Sequence, residues 1–448
     1  MSGSDAHRRR RTVEVLIVGA GPAGLSAAAT LAEAGAGRVE VLERDPWPGG
    51  APRHCDRPGF GRWRTSSGPE YARRLTEAAV AAGATLRTET TATGWWHEDP
   101  DPARPASSVT RDVPSPTRPA SSLTLDVPSP TRPASSLTLD VTGPAGLERV
   151  TARAVVLATG ARERPRSARL VPGTRPAGVL TTGELQQSVH LHGLRGAAIG
   201  RRAVVIGAAE PVTRGAVRTL REAGVEVVGV VSEGPRPPAY RERVGAPLLP
   251  WTTVTGLVGH GRPTGVTVRH RGGRTGTLTC DTVVFAGDWI PQHELARAGG
   301  VPLDPATRGP AVDGAFRTPV PGVFAAGNGL RGAEPAAVAE AEGRQAAYAV
   351  LRHLAAAPWP SRTVPLVVEP PLLWVTPNRV GGPDTRRPLL LRPAEPLRLP
   401  VLAAVQDGRL LWRSRRWAVL DPARSVRVTP EWTAAVDPDG GPVVLRAR

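Results

Sequence analysis

The stretch VEVLIVGAGPAGLSAAATLAEAGAGRVEVLERDPWPGG, residues 13–50, constrains this chain more than any other. A valine-rich apolar run ends in three glycines, Gly19, Gly21 and Gly24. It passes directly into a segment of helix-forming composition that Gly35 and Gly37 stop. A second apolar run, RVEVLE, ends on Glu43. The pattern predicts a buried parallel strand, a tight loop, a helix and a second strand. Gly19 permits the turn, Gly21 lets bare backbone approach a diphosphate, and Gly24 lets helix and strand pack closely. The helix N-terminus offers free N–H groups and about half a positive charge to phosphates. Glu43, 19 residues beyond Gly24, is placed to accept hydrogen bonds from a ribose. A lone G-x-G-x-x-G is weak evidence, but this one sits in its full strand–loop–helix–strand setting. Dinucleotide binding is therefore expected here, with Gly19, Gly21, Pro22, Ala23, Gly24, Glu43 and Arg44 as the candidate cofactor-binding residues.

Two later stretches bear on which dinucleotide it is. RAVVLATGARERP, residues 153–165, reads as a strand ending in Ala158-Thr159-Gly160. RTPVPGVFAAGNGLRGAEPAAVAEAEGRQAAYAVLRHL, residues 317–354, reads as a strand, then Gly327-Asn328, a loop and a helix. With the first loop, these resemble the two-dinucleotide-domain flavoproteins, the fold of thioredoxin reductase and the pyridine-nucleotide-disulfide oxidoreductases, over residues 12–355. The resemblance implies FAD at the first loop, with Thr159 and Gly160 crossing near it. It implies that Gly327 and Asn328 hold the ribityl chain and pyrophosphate, that Gly50 lies beside the cofactor, and that Ala92 offers its backbone to the adenine. The family has Asp where this chain has Asn328; an amide still donates and accepts hydrogen bonds. The helix that follows would point its N-terminus at the flavin, which favours negative charge on the reduced ring.

RRAVVIGAAEPVTRGAVRTLREAGVEVVGVVSE, residues 201–233, repeats the plan with a degenerate loop. Ala209 stands where a bare glycine admits a pyrophosphate, Val212 replaces the packing glycine, and Glu210 puts a carboxylate near the helix start, where it competes with phosphate. Glu233 is still placed to meet a ribose. NAD(P) is thus a second candidate cofactor on a loop whose sequence speaks mainly for a fold-preserving relic.

ATGARERPRSARLVPGTRPAGVLTTGELQQSVHLHG, residues 158–193, with PQHELARAGGVPLD and RTPVPGVFAAGN, narrows the resemblance. It is similar to the FAD/NAD-domain subunits of multi-subunit amine dehydrogenases and oxidases: the alpha-type subunits of sarcosine oxidase, opine oxidase and hydrogen cyanide synthase. That implies oxidation of a C–N bond in a small-molecule substrate and, for a possible partner, a second flavoprotein or an iron–sulfur subunit. The chain has no cysteine-rich segment for such a cluster. Its two cysteines, Cys55 and Cys280, form no CxxC or near pair, so neither a disulfide framework, a zinc site nor an internal dithiol relay is expected.

The fold class expected is α/β, with two Rossmann-like dinucleotide-binding domains, the second inserted in the first, plus a small C-terminal β-rich domain. Residues 1–11 read as a disordered basic tail; 12–162 and 285–355 as a discontinuous FAD-binding domain; 163–284 as an NAD(P)-binding-like domain; 360–448, rich in Pro, Val, Leu and Trp, as the β-rich domain. A 14-residue repeat, RPASSVTRDVPSPT, RPASSLTLDVPSPT and then RPASSLTLDV, fills 104–141. Its PSP punctuation cannot sit in a ladder. Residues 104–131 therefore read as a loop insertion, and only the last copy, with Leu137, Leu139 and Val141 alternating, is expected to pair as a hairpin.

No apolar run approaches the about 20 residues of a membrane-spanning helix, so a cytoplasmic protein with no membrane partner is expected. The formal net charge is +17, and all 57 basic residues are arginine. They are scattered and accompany no groove-reading motif, so no nucleic-acid partner is expected. The lack of lysine excludes a Schiff-base lysine. For chemistry the candidates lie in GGAPRHCDRPGFGRW, residues 49–63: Arg53 to hold a carboxylate or the pyrophosphate, and His54 to move a proton near neutral pH. No metal site is expected. The function expected is an FAD-dependent oxidoreductase taking hydride from a carbon bearing an amine or a hydroxyl. The alternatives are an NAD(P)H-dependent flavoprotein reductase feeding a partner, and a non-catalytic flavin-holding subunit.

Overall fold

The computed structural model describes residues 9–61, 64–96, 137–207, 211–234, 244–332, 334–381 and 387–448. The strand Gly146–Leu157 organises the first sheet. One edge runs parallel with Arg9–Val18 from Arg9↔Glu148 to Val18↔Leu157. The other edge is shared: Leu137–Gly143 pairs antiparallel with its first half, and Val323–Ala325 pairs parallel with its last residues. Val39–Leu42 and then Thr85–Arg87 extend the sheet beyond Arg9–Val18, and Thr91–Trp96 closes the hairpin side. Parallel strands are covered on both faces and therefore read as unbroken apolar runs; Val15, Leu16, Ile17, Val155 and Val156 are fully buried.

The helices that cover this sheet approach through residues without side chains. A Cβ on Gly24 would lie 1.9 Å from the Gly19 carbonyl oxygen, so Pro22–Glu33 sits against the turn that precedes it. A Cβ on Gly343 would lie 2.0 Å from the Ala23 carbonyl oxygen, where Ala336–Leu354 crosses the same helix. Gly68–Ala81 starts with a capping box between Ser67 and Glu70.

The basic tail expected over 1–11 is corrected at its inner end: Arg9, Arg10 and Arg11 belong to the first strand. The cause is the buried carboxylate of Glu40, which the side chains of Arg11 and Arg87 meet at 2.8 and 2.9 Å. A buried charge needs such partners.

The second sheet runs Val179–Thr181, Thr282–Phe285, Arg202–Ile206, Glu226–Val231, Leu248–Leu249, all parallel. A three-stranded antiparallel sheet, Thr252–Val258, Gly265–His270 and Thr275–Leu278, packs on it. Two crossings join this unit to the first, through Ala161–Glu163 paired with Trp289–Pro291. The Glu163 carboxylate ties them, accepting from the Gly183 and Gly287 N–H groups at 2.7 and 2.9 Å.

From Val364 onward the chain is almost entirely β. A five-stranded and a three-stranded sheet enclose their own core of Leu366, Leu391, Leu402, Val443 and Leu445. The hairpin strand expected from the last repeat copy is present as Leu137–Gly143, with Leu139 and Val141 buried; residues 104–136 lie outside the described residues.

The helix crossing at Gly343 yields a stability prediction. Gly343→Ala places a methyl group on rigid backbone and is expected to cost about 2 kcal/mol or more. Gly276→Ala, whose Cβ meets nothing within 4 Å, is the control. Chemical denaturation of the two variants checks the difference.

Candidate cofactor and active site

The carboxyl ends of four parallel strands meet at one rim, the position at which open α/β sheets bind ligands. Gly19 N–H bonds the Leu42 carbonyl at 2.8 Å, Ala158 N–H the Val18 carbonyl at 2.9 Å, and Ala326 N–H the Leu157 carbonyl at 3.1 Å. These bonds bring the three glycine-bearing segments of the sequence together. The Gly19 backbone, at φ +106°, passes so close to residue 158 that a Cβ would lie 2.4 Å from the Ala158 oxygen. The turn Gly327–Leu330 lies against Thr159 and Gly160, and a Cβ on Gly329 would come within 3.2 Å of the Thr159 hydroxyl.

The residues at this rim fit FAD. Gly21 precedes the helix in extended conformation and offers no side-chain cap, so the first helical N–H groups are left for a ligand. A Cβ on Gly21 or Gly160 would meet nothing within 4 Å, which leaves bare backbone facing open space. Gly50, at φ +62°, backs onto Gly21: its Cβ would lie 3.0 Å from the Gly21 Cα. Pro22 occupies the first helical position, where a missing N–H costs nothing, and Ala23 is the small residue under the Gly343 crossing.

Glu43 closes the second strand and is half-buried. Its carboxylate accepts from Ala20 N–H at 2.9 Å and Asp45 N–H at 3.0 Å, and its oxygens keep further acceptor capacity for hydroxyls. Arg44 is exposed. The Gln292 amide, oriented to match donor to acceptor, bridges Arg44 and the Thr159 carbonyl. Thr159 also donates its hydroxyl to the Gln292 carbonyl at 2.6 Å.

Asn328 and Ala92 each have partners within the protein. Asn328 turns its amide to its own loop: Nδ2 donates to the Glu334 carbonyl at 3.2 Å and Oδ1 accepts from the Glu334 N–H at 3.0 Å. Its side chain shapes the loop. Ala92 is paired with Val141 in the hairpin sheet, and the backbone beside Glu43 is that of Arg87 and Thr90.

The loop 49–57 runs from this rim toward the second unit. Arg53 folds back on its own turn, donating to the Trp47 carbonyl at 3.0 Å with Asp45 at 3.8 Å. His54 is corrected as a proton carrier near neutrality. Burial, then the Arg53 charge, pushes its pKa down from 6.5 to about 4, so it is a neutral imidazole at pH 7. Cys55 lies across from Gln186 of the second unit, Sγ to Oε1 3.5 Å, and burial raises its pKa. Cys280 is buried in the other unit, its pKa pushed up to about 11 by burial.

Sequence reasoning passed over Arg57. Its Nε is buried without a hydrogen-bond partner. Burial, ahead of the charges of Arg218, Arg214 and Arg64, lowers its pKa. Nothing in the local sequence marks it, because Arg214 and Arg218 come from a helix over 150 residues away. Among the described residues no group of three or more His, Cys, Asp or Glu could hold a metal ion.

The second glycine loop keeps Gly207, whose N–H bonds the Val231 carbonyl at 3.0 Å, and the helix Pro211–Glu222. Val212, in place of the packing glycine, packs against the core of that unit. Ala209 and Glu210 lie outside the described residues. Glu233 is exposed. No helix among the described residues is long and apolar enough to cross a membrane.

Residues 131–343 match the family profile of the pyridine nucleotide-disulphide oxidoreductases, and residues 17–79 that of the NAD(P)-binding Rossmann-like domain. The chain is 28% identical over 293 residues to the alpha subunit of sarcosine oxidase from Rhizobium meliloti (strain 1021), covering 65% of this chain and 26% of that one. It is 27% identical over 375 residues to an opine oxidase subunit of Rhizobium meliloti, covering 78% of this chain and 64% of that one. It thus spans about a quarter of the first relative and just under two thirds of the second. In fold it is similar to thioredoxin reductase of T. acidophilum, with TM-score 0.56 and 22% identity over 77% of this chain and 99% of that one. It is also similar to L-proline dehydrogenase of P. horikoshii, with TM-score 0.55 and 17% identity over 78% of this chain and 57% of that one. The matched profiles and the glycine-lined rim lead to one conclusion: the chain is similar to the FAD/NAD(P)-dependent oxidoreductases, its residues 131–343 matching the pyridine nucleotide-disulphide oxidoreductase profile, with FAD as the expected cofactor.

Proposed function

We propose that this chain is the flavin-bearing part of an enzyme that oxidises a small amine or amino acid. One observation carries the reading: the fold of a disulphide reductase is kept while its thiol pair is missing. The sequence has two cysteines, and they lie in different units with raised pKa values. Electrons therefore have no sulfur relay to pass through, and direct exchange between a bound substrate and the flavin is left. The relatives named for sarcosine and opine oxidation support an amine-type substrate, and their being named as subunits supports further protein partners.

Bound FAD supplies a two-electron acceptor for the hydride that leaves the amine-bearing carbon as its C–N bond becomes C=N. The chain's own residues position and shield. Gly21, Pro22 and Ala23 begin the helix that holds the diphosphate, and Glu43 takes ribose hydroxyls. Arg57, positive and lacking a partner at Nε, holds the carboxylate of an amino-acid substrate at the seam between the units. His54, neutral at pH 7, is available as a hydrogen-bond partner rather than as a charge. Arg53 keeps the 45–50 turn in shape.

Purified protein is expected to be yellow, and Gly21→Val to lose the colour; a colourless wild type that takes up no FAD on reconstitution ends the reading. Anaerobic mixing with amines and amino acids is expected to bleach the flavin, whereas bleaching by NADH or NADPH alone would favour a nicotinamide-fed reductase.

Arg57→Ala is expected to weaken binding of a carboxylate-bearing substrate by about 10–100-fold, the worth of a hydrogen bond to a charged group. Binding of an amine without a carboxylate is expected to be unchanged. Titration of flavin absorbance separates the two.

His54 gives a pH signature. Its folded-state pKa, about 4, lies below the ordinary 6.5, so between these values the unfolded chain binds more protons and stability falls as pH falls. His54→Asn is expected to flatten that acid limb while leaving stability near pH 8 little changed. Denaturant midpoints measured across the range check it.

A further inference from the structure

We propose that the C-terminal β unit is a positioning element for the FAD cradle, acting through Glu334. The proposal rests on FAD occupying the glycine-lined rim. Loop 328–334 is held at its base by the paired bonds between the Asn328 amide and the Glu334 backbone. The Glu334 side chain is almost fully buried at 3% exposure, and among the described residues its carboxylate is gripped from the C-terminal unit: Oε1 by the Arg392 guanidinium, Oε2 by the Ser425 hydroxyl at 2.8 Å.

A second strand of contacts runs beside it. Gly327 N–H donates to Glu342 Oε2 at 3.0 Å, and Glu342 Oε1 accepts from Arg331 at 2.5 Å. The Arg331 side chain has no exposure and lies with its guanidinium 5.8 Å from the ring centre of Trp374, which also meets Arg392 at 5.1 Å. One tryptophan of the C-terminal unit thus separates two Glu–Arg pairs, each of which holds one end of the Gly327–Glu334 loop.

The Glu334 charge is matched across the units, by Arg392. Without Arg392, Glu334 is a buried carboxylate left with a single hydroxyl partner. Breaking a buried pair from one side is strongly unfavourable. The loop then relaxes outward to hydrate the acid, and Asn328 and the start of Ala336–Leu354 move with it. Arg392 and Ser425 are therefore positioning residues: they act on the cofactor through Glu334.

The test uses the full chain, stripped of flavin and titrated with FAD by fluorescence quenching. Arg392→Met is expected to raise the FAD Kd at least tenfold, and Ser425→Ala two- to fivefold. The double variant Glu334→Gln with Arg392→Met is expected to return within threefold of wild type, because the uncompensated charge is gone. Leu445→Ala, which loosens the C-terminal core without touching Glu334, is expected to lower the melting temperature and leave Kd unchanged. The inference falls if Arg392→Met binds FAD as wild type does, or if Leu445→Ala weakens binding as much as Arg392→Met. A wild type that binds no FAD overturns the cofactor reading itself, so the two failures are told apart.

Discussion

Backbone-to-backbone contact without intervening side chains is the constraint on which the first unit depends. Gly24 lets a helix rest on the carbonyl of Gly19, and Gly343 lets a second helix rest on the carbonyl of Ala23. The two contacts share one short helix, Pro22–Glu33. Its N-terminus is thereby fixed from both sides and aimed at the rim. A helix dipole acts within about one turn of its end, so a displacement of a few ångströms would remove its effect on a diphosphate. The small residues are thus the means by which helix, strand and phosphate site come to occupy so little depth.

The first unit was largely legible because its information is local. Strand, turn, helix and acid follow one another within residues 13–43, and each obeys a spacing set by elementary geometry. The same holds for the hairpin strand Leu137–Gly143, whose alternation appears in the burial of Leu139 and Val141. What the sequence hid is non-local. Arg9 to Arg11 look like a charged tail until Glu40 is seen buried 29 residues beyond Arg11, waiting for a cation. Asn328 looks like a ligand to the cofactor until the loop closes and Glu334 takes both halves of its amide. Arg57 looks like one arginine among 57 basic residues until Gln186 and the helix carrying Arg214 and Arg218 are placed beside its loop. The low pKa of His54 is likewise a product of packing, since burial supplies its largest part.

Charge in this chain is handled in two ways. On the surface arginine is abundant and its pairs, such as Arg73 with Glu77 and Arg202 with Glu226, are exposed and worth little. Inside, a few carboxylates do structural work: Glu40 gathers the edge of the first sheet, Glu163 ties the two crossings between units, and Glu342 reaches from a helix to the Gly327 amide. Each lies where segments distant in the chain must meet. Guanidinium suits this use because it stays charged when buried and presents donors in a fixed plane.

The divided edge of Gly146–Leu157 sets the order in which the molecule can be made. Val323–Ala325 takes its place on that strand only after the entire second unit has been threaded between. During synthesis the turn at Gly19 is therefore ready long before its opposite wall at Gly327 exists. At roughly 5–20 residues per second, the gap is roughly 15–60 s. A nascent chain can pair the other strands of its first sheet before that interval ends, but it cannot enclose a flavin.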